Sequence, residues 1–398
     1  MMKVASVFSQ LLNHFPRTEF AALVRKHEAE RYAKGFDCWT QFVSMMFCHL
    51  ARADSLRQIC NGLSCCLGKL AHLGVEKAPN KSTLSYANEH RSADLYQELF
   101  VTVMSRFRNA QILGQRKLRF RFRNRLLSLD STTISLCLEL FPWAKFRRAK
   151  GGVKAHVLLD HDDYMPAWVL VTNAKQHDVR AARLLDLPPD SIVAMDRAYN
   201  DYELFGSWTE RGIFFVTRLK ENTVFEVTER RTIPKTSNIV SDELIRLTGS
   251  RAAEKCPGLL RRVVVRDEEH DRDIVLLTNH LTFGPTTIAA IYKDRWEIEL
   301  FFKALKQNLK IKTFVGTSPN ALLIQIWTAL LALLLLKWLH HLSKAGWSLS
   351  TMAAMLRLNL FTYRPLPDWL DNPYDTPPAE PAPLQLSLPM AGLGQAIA

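Results

Sequence analysis

The spacing of apolar residues changes period near residue 116, and this change limits the fold more than any other feature of the chain. From Val4 to about Phe107 apolar residues recur at helical spacing, as in FCHLARADSLRQICNGLSCCL, with little clustering of β-branched residues. A helical N-terminal domain is expected over residues 1–115. Within it, Pro79–Thr83 reads as a turn and helix start, followed by LSYANEHR, a polar and basic helix that suits either a major groove or the solvated face of a helical bundle.

Beyond Leu126 short apolar runs alternate with helical patterns. Strands are expected at Leu126–Asp130, Lys154–Asp160, Ala167–Thr172, Ser191–Asp196 and Ile213–Arg218, and helices near Val179–Leu187 and Asp201–Arg211. Early strands without long crossovers, then βαβ units, describe an α/β fold with a mixed sheet and helices on both faces. An RNase H-like arrangement fits a catalytic domain over 116–360. Strand-like segments between Glu221 and Thr282 read as a β-rich insertion, placed at 221–285, and a long amphipathic helix is expected from Thr286 to about Leu309. Eight of the 18 prolines lie from Pro365 onward, so an irregular tail is expected over 361–398.

The charge balance bears on the partner. Lys and Arg number 52 against 39 acids, a formal net charge of +13, which favours a polyanion through counterion release. The segment RKLRFRFRNR interleaves Phe120 and Phe122 with Arg119, Arg121 and Arg123, a pattern suited to a strand edge that lays cations on phosphates. A second basic run, Lys145 to Lys154, reads as a DNA-facing loop. The uncharged stretch Ala321–Leu336 is interrupted by Gln325 and Thr328 and falls short of a span, so a buried core helix is expected and no membrane partner. The N-terminus lacks the form of a secretory signal and the seven cysteines show no paired spacing, which points to a reducing cytoplasm.

Phosphodiester chemistry with two metal ions needs carboxylates converging from separate elements. Asp130 ends one apolar strand and Asp196 another. In IYKDRWEIELFFKALKQNLKI, at about 100° per residue, Tyr292, Arg295, Glu299 and Lys306 share one face about 60° wide, beside a core stripe of Ile291, Ile298, Phe302, Leu305 and Leu309. That mixture supplies an acid for metal, cations for phosphate and an aromatic hydroxyl to orient the backbone. The tighter acidic cluster Asp160, Asp162 and Asp163 reads instead as a solvated hairpin tip. His156 and His177 read as hydrogen-bonded structural histidines.

Tyr292, Arg295, Glu299 and Lys306 reproduce the Y-x2-R-x3-E-x6-K signature of a large group of bacterial insertion-sequence transposases of the DDE class. Asp196-Arg197-Ala198-Tyr199 resembles that group's second-aspartate motif, and SLDSTTI around Asp130 its first, over about Leu126–Lys337. The resemblance implies an RNase H-like catalytic domain with a β-rich insertion, and two Mg2+ or Mn2+ ions on Asp130, Asp196 and Glu299. It implies phosphate contacts from Tyr292, Arg295 and Lys306, and cut-and-paste action by a homodimer on terminal inverted repeats and target DNA. The region Glu221–Thr282 holds no Trp or Tyr, which leaves Phe225 as the candidate for stacking a flipped base, as some members do. A nuclease of the same fold and a non-catalytic DNA-binding repressor are the alternatives.

Overall fold

The computed structural model describes residues 5–377 apart from 32, 67, 111–119, 138, 148–149, 236, 310 and 312. Its N-terminal part is helical as expected: α1 (Val7–Leu12), α2 (Arg17–Lys26), α3 (Cys38–Leu50), α4 (Leu56–Ser64), α5 (Lys81–His90) and α6 (Asp94–Asn109). Side chains of Asp37 and Ser55 accept from backbone N–H groups of α3 and α4, capping donors that a helix start leaves unpaired.

Ten strands form one sheet: β1 (Leu126–Leu136), β2 (Lys145–Arg147), β3 (Lys150–Asp160), β4 (Pro166–Asn173), β5 (Ile192–Met195), β6 (Phe214–Arg218), β7 (Phe225–Arg230), β8 (Ile239–Leu247), β9 (Leu260–Asp267) and β10 (Arg272–Thr278). β4, β3 and β1 are antiparallel neighbours, while β1, β5 and β6 run parallel, giving the RNase H-like order β4-β3-β1-β5-β6. The insertion strands do not form a separate sheet. They continue past β6 as β10-β9-β8-β7, all antiparallel.

Helices cover both faces. On one, α7 (Asp178–Ala182), α8 (Tyr202–Glu210) and α9 (Ser250–Lys255) pack on Leu127, Leu129, Val193, Met195 and Phe215. On the other, α10 (Pro285–Asp294) packs through Ile288 and Ile291 on Leu126, Ile192, Ala194 and Val216. Gly206 lets α8 approach α9 closely, since a Cβ there would stand 2.1 Å from the Lys255 carbonyl oxygen. α11 (Glu297–Asn308), α12 (Pro319–Leu342), α13 (Leu349–Asn359) and α14 (Leu366–Asp371) follow.

The apolar helix α12 lies in the core shared with the N-terminal helices, packed against α3, α5 and α6. Its interrupting polar residues are satisfied there. Gln325, fully buried, donates to Thr313 O at 2.9 Å and accepts from Val315 N at 2.9 Å, and Thr328 pairs with His49 at 3.0 Å. Burying the Gln325 amide or the Thr328 hydroxyl without a partner would cost roughly 2–7 kcal/mol each.

Four expectations need correction. Residues 120–125 are not a strand: Phe120 stacks on Phe122 at 5.0 Å and Phe122 on Phe283 at 4.9 Å, so ring packing holds an irregular arm against the start of α10. The tail is ordered in its first part, where Leu366, Trp369 and Leu370 of α14 are buried; residues 378–398 lie outside the described residues. Asp160 and Asp163 are not solvated. Their side chains, each 6% exposed, pair with Arg125 at 2.6 Å and Arg108 at 2.9 Å. The basic run Lys145 to Lys154 lies on β2 and β3 instead of a loop, with Lys154 3.1 Å from Asp178 and Arg148 outside the described residues.

Candidate active site

Strand register brings the two aspartates level. β1 and β5 pair as Leu129 with Met195, so the next residues, Asp130 and Asp196, stand side by side. Side chains alternate along a strand, and Leu127, Leu129, Val193 and Met195 face α8. Asp130 and Asp196 therefore face the α10 and α11 side. β5 and β6 pair as Ala194 with Val216, which sets Arg218 beside Asp196 on the same face. Asp196 also caps the short turn Arg197–Tyr199 by accepting from Ala198 N at 3.0 Å.

The third acid comes from across the sheet, on a helix that differs from expectation. The single helix expected over Thr286–Leu309 is two, α10 and α11, joined by a tightened turn. Ile298 N bonds Arg295 O at 3.2 Å and Glu299 N bonds Trp296 O at 3.0 Å, spacings of three residues where an α-helix uses four. Tightening advances the side chains faster than 100° per residue, so the shared face is built by the joint as well as by helical period. Arg295 Nη1 reaches Asp130 Oδ2 at 3.1 Å and Glu299 Oε1 at 3.7 Å, and its guanidinium lies 5.6 Å from the Tyr292 ring centre.

Electrostatics mark this as one site. Burial pushes the Asp130 carboxyl up to about 7; the Ser131 amide and Arg295 oppose the rise, and the neighbouring Glu299 adds to it. Burial also pushes the Tyr292 phenol up, and that hydroxyl senses Arg295, Asp196 and Arg218. Arg295 is held above its ordinary value because Tyr292, Asp130, Asp196 and Glu299 together outweigh the opposing effect of burial. Three carboxylate side chains on β1, after β5 and on α11 are hard oxygen donors of the kind Mg2+ takes. Among the described residues no three His, Cys, Asp or Glu side chains enclose a cation position as they stand. Asp130 and Glu299 meet at Arg295, which supplies the positive charge between them, and Asp196 stands level on the next strand. The donor chemistry fits a divalent ion.

Of the other residues expected in the site, Lys306 is half-buried on α11, within the helix that carries Glu299. Arg121 and Arg123 are exposed on the arm before β1, and Arg119 lies outside the described residues. Phe225 is half-buried against the core on the α8 side, with the Arg262 guanidinium 5.7 Å from its ring centre. His156 is buried 3.0 Å from Thr172 Oγ1, whereas His177 is exposed. Sequence reasoning missed Arg218, whose guanidinium has no ion pair or hydrogen bond among the described residues. Its signal was positional: it ends the strand next to the one ending in Asp196.

A family model described as the transposase DDE domain matches residues 121–335, more than half of the chain. The chain belongs to the DDE transposase family. A putative transposase of Sinorhizobium fredii is 33% identical to this transposase over 67% of its chain and 73% of the relative. A probable transposase for insertion sequence element IS5377 of Geobacillus stearothermophilus is 30% identical over 66% and 68%. The helical N-terminal part of the transposase matches a domain of unknown function over residues 3–76. A solved synaptic complex of piggyBac transposase with hairpin DNA covers 89% of this chain at 9% identity and a TM-score of 0.45, too distant for residue correspondence. The transposase is thus an enzyme that acts on DNA with divalent metal, built on an RNase H-like α/β fold.

Proposed function

We propose that this transposase belongs to the insertion-sequence group with the Y-R-E-K signature, and that Asp130, Asp196 and Glu299 hold two Mg2+ or Mn2+ ions for cut-and-paste transposition. Ions bound there supply Lewis-acid polarisation of the scissile phosphate and a nucleophilic oxygen at neutral pH. The observation that carries this reading is the convergence of Asp130 and Glu299 on one Arg295 nitrogen, with Asp196 level with Asp130 on the adjoining strand.

The chain's own residues have separable parts in this reading. Arg295, Tyr292 and Lys306 orient the transferring phosphodiester, and Arg218 adds a cation beside Asp196. Arg121 and Arg123 hold the duplex flank through phosphates, with Arg119 earlier on the same run. The helical region 1–115 reads the terminal inverted repeats and supports a homodimer; α5, with exposed Tyr86 stacked on His90 at 4.0 Å, is its candidate reading helix. The domain 116–360 cuts and joins, with 221–285 as its insertion and 361–398 as a tail. The protein works in the cytoplasm at the nucleoid.

The test is cleavage and joining of DNA carrying the inverted repeats that flank the gene, by wild type and by Glu299→Gln with Mg2+. Loss of both steps with DNA binding kept supports the reading. Cleavage that survives the substitution removes Glu299 from the site, and binding without cleavage by wild type favours a repressor.

A further inference from the structure

Three residues that no part of this chemistry uses lie beneath the site. Ser128 is on β1, His161 in the turn between β3 and β4, and Asp294 is the last residue of α10. His161 Nδ1 donates to the Asp294 carboxylate at Oδ2, 2.6 Å away, and His161 Nε2 shares a hydrogen bond with the Ser128 hydroxyl at 2.6 Å. Exposures are 0% for Ser128, 8% for His161 and 2% for Asp294. The order hydroxyl, imidazole, carboxylate is that of a hydrolase triad, but a hydroxyl sealed from solvent cannot attack a substrate.

We propose that Ser128, His161 and Asp294 form a positioning clamp that sets the joint between α10 and α11, and so places Arg295 and Glu299 opposite Asp130. This rests on the active-site reading above. Ser128 and Asp130 are two residues apart on one face of β1, about 7 Å along the strand. Asp294 and Arg295 are consecutive. The strand and the joint are therefore tied twice, by the buried relay and by Arg295 to Asp130. No Pro or Gly interrupts the helix at this point. The chain tightens at the residue after the one the relay anchors. His161 is itself fixed, its backbone N–H donating to Leu126 O at 3.0 Å.

The test uses the full chain with Asp294→Asn, Ser128→Ala and the pair together. Mn2+ affinity is read by electron paramagnetic resonance without DNA, and cleavage at saturating DNA is read beside DNA affinity. The clamp predicts Mn2+ affinity and cleavage each lower by about 10–100-fold in Asp294→Asn with DNA affinity unchanged, the range for partners that orient metal ligands. It also predicts that the pair is no worse than Asp294→Asn alone. A folded Asp294→Asn with wild-type Mn2+ affinity and cleavage overturns it. If that variant does not fold, Ser128→Ala decides, weaker affinity supporting the clamp and unchanged affinity overturning it. Glu299→Gln separates the two claims: if it keeps wild-type Mn2+ affinity, the ligand assignment fails, and the clamp is then judged on cleavage rate against DNA affinity alone.

Discussion

One nitrogen of Arg295 answers two acids on different elements, lying 3.1 Å from Asp130 Oδ2 on β1 and 3.7 Å from Glu299 Oε1 on α11. The Arg295 and Asp130 side chains are 11% and 14% exposed, so each depends on the other for compensation. Arg295→Ala removes the cation that lies between these two carboxylates. In EDTA this variant should lose on the order of 3 kcal/mol, the cost of unpairing a buried charge. Mg2+ should then raise its melting temperature more than it raises that of wild type. Equal responses to metal would remove the link between Arg295 and the cation site.

Arg218 ends β6 beside Asp196 and carries no pairing of its own among the described residues. Arg218→Ala should weaken DNA binding across sequences alike and lower the slope of log affinity against log salt by about one. Titrations at several salt concentrations, on end DNA and unrelated DNA, read both effects. An unchanged slope means that Arg218 touches no phosphate.

The insertion is held by a buried ion pair. Arg261 Nε and Nη2 lie 2.7 and 2.6 Å from the two Asp242 oxygens, and both side chains are 2% exposed. Arg261→Met strands the carboxylate and should cost about 3–5 kcal/mol, while the double change with Asp242→Leu should recover much of that loss. Urea unfolding of the three proteins tests the non-additivity.

Acid should destabilise the fold through histidines. Burial lowers His49 to about 3 and His156 to about 4, so both stay neutral in the folded chain where the unfolded chain protonates near 6.5. The unfolded state therefore binds more protons below that pH, and stability present above pH 6.5 is lost as pH falls toward 4. His49→Gln, which keeps a partner for Thr328, should flatten this dependence in melts between pH 4 and 7. A dependence as steep as wild type would assign the effect elsewhere.

Strand positions in the catalytic sheet were legible because buried runs such as LLSLD and SIVAMD are short, β-rich and bounded by polar turns. Asp130 and Asp196 stood out for the same reason, each closing such an apolar run, although β1 continues past Asp130 to Leu136; Glu299 stood out instead by its helical spacing from Arg295. The break after Asp294 was not legible, since Asp294 is held there by His161, 133 positions earlier, a contact no local period encodes. Asp160 and Asp163 misled for a related reason: Arg108 and Arg125, which bury them, lie on other elements. Alternating Arg and Phe at 119–123 suggested a strand, but the rings pack on Phe283 instead of a neighbouring strand.

The claim that Asp130, Asp196 and Glu299 act as one site is tested most directly by comparing Asp130→Asn, Asp196→Asn, Glu299→Gln and the triple variant in strand cleavage of end DNA with Mg2+. Groups that work as a unit are non-additive, so each single substitution should cost nearly as much as all three, with DNA binding kept in every case. A single variant that cleaves near the wild-type rate, or losses that multiply to the triple value, would contradict the shared site.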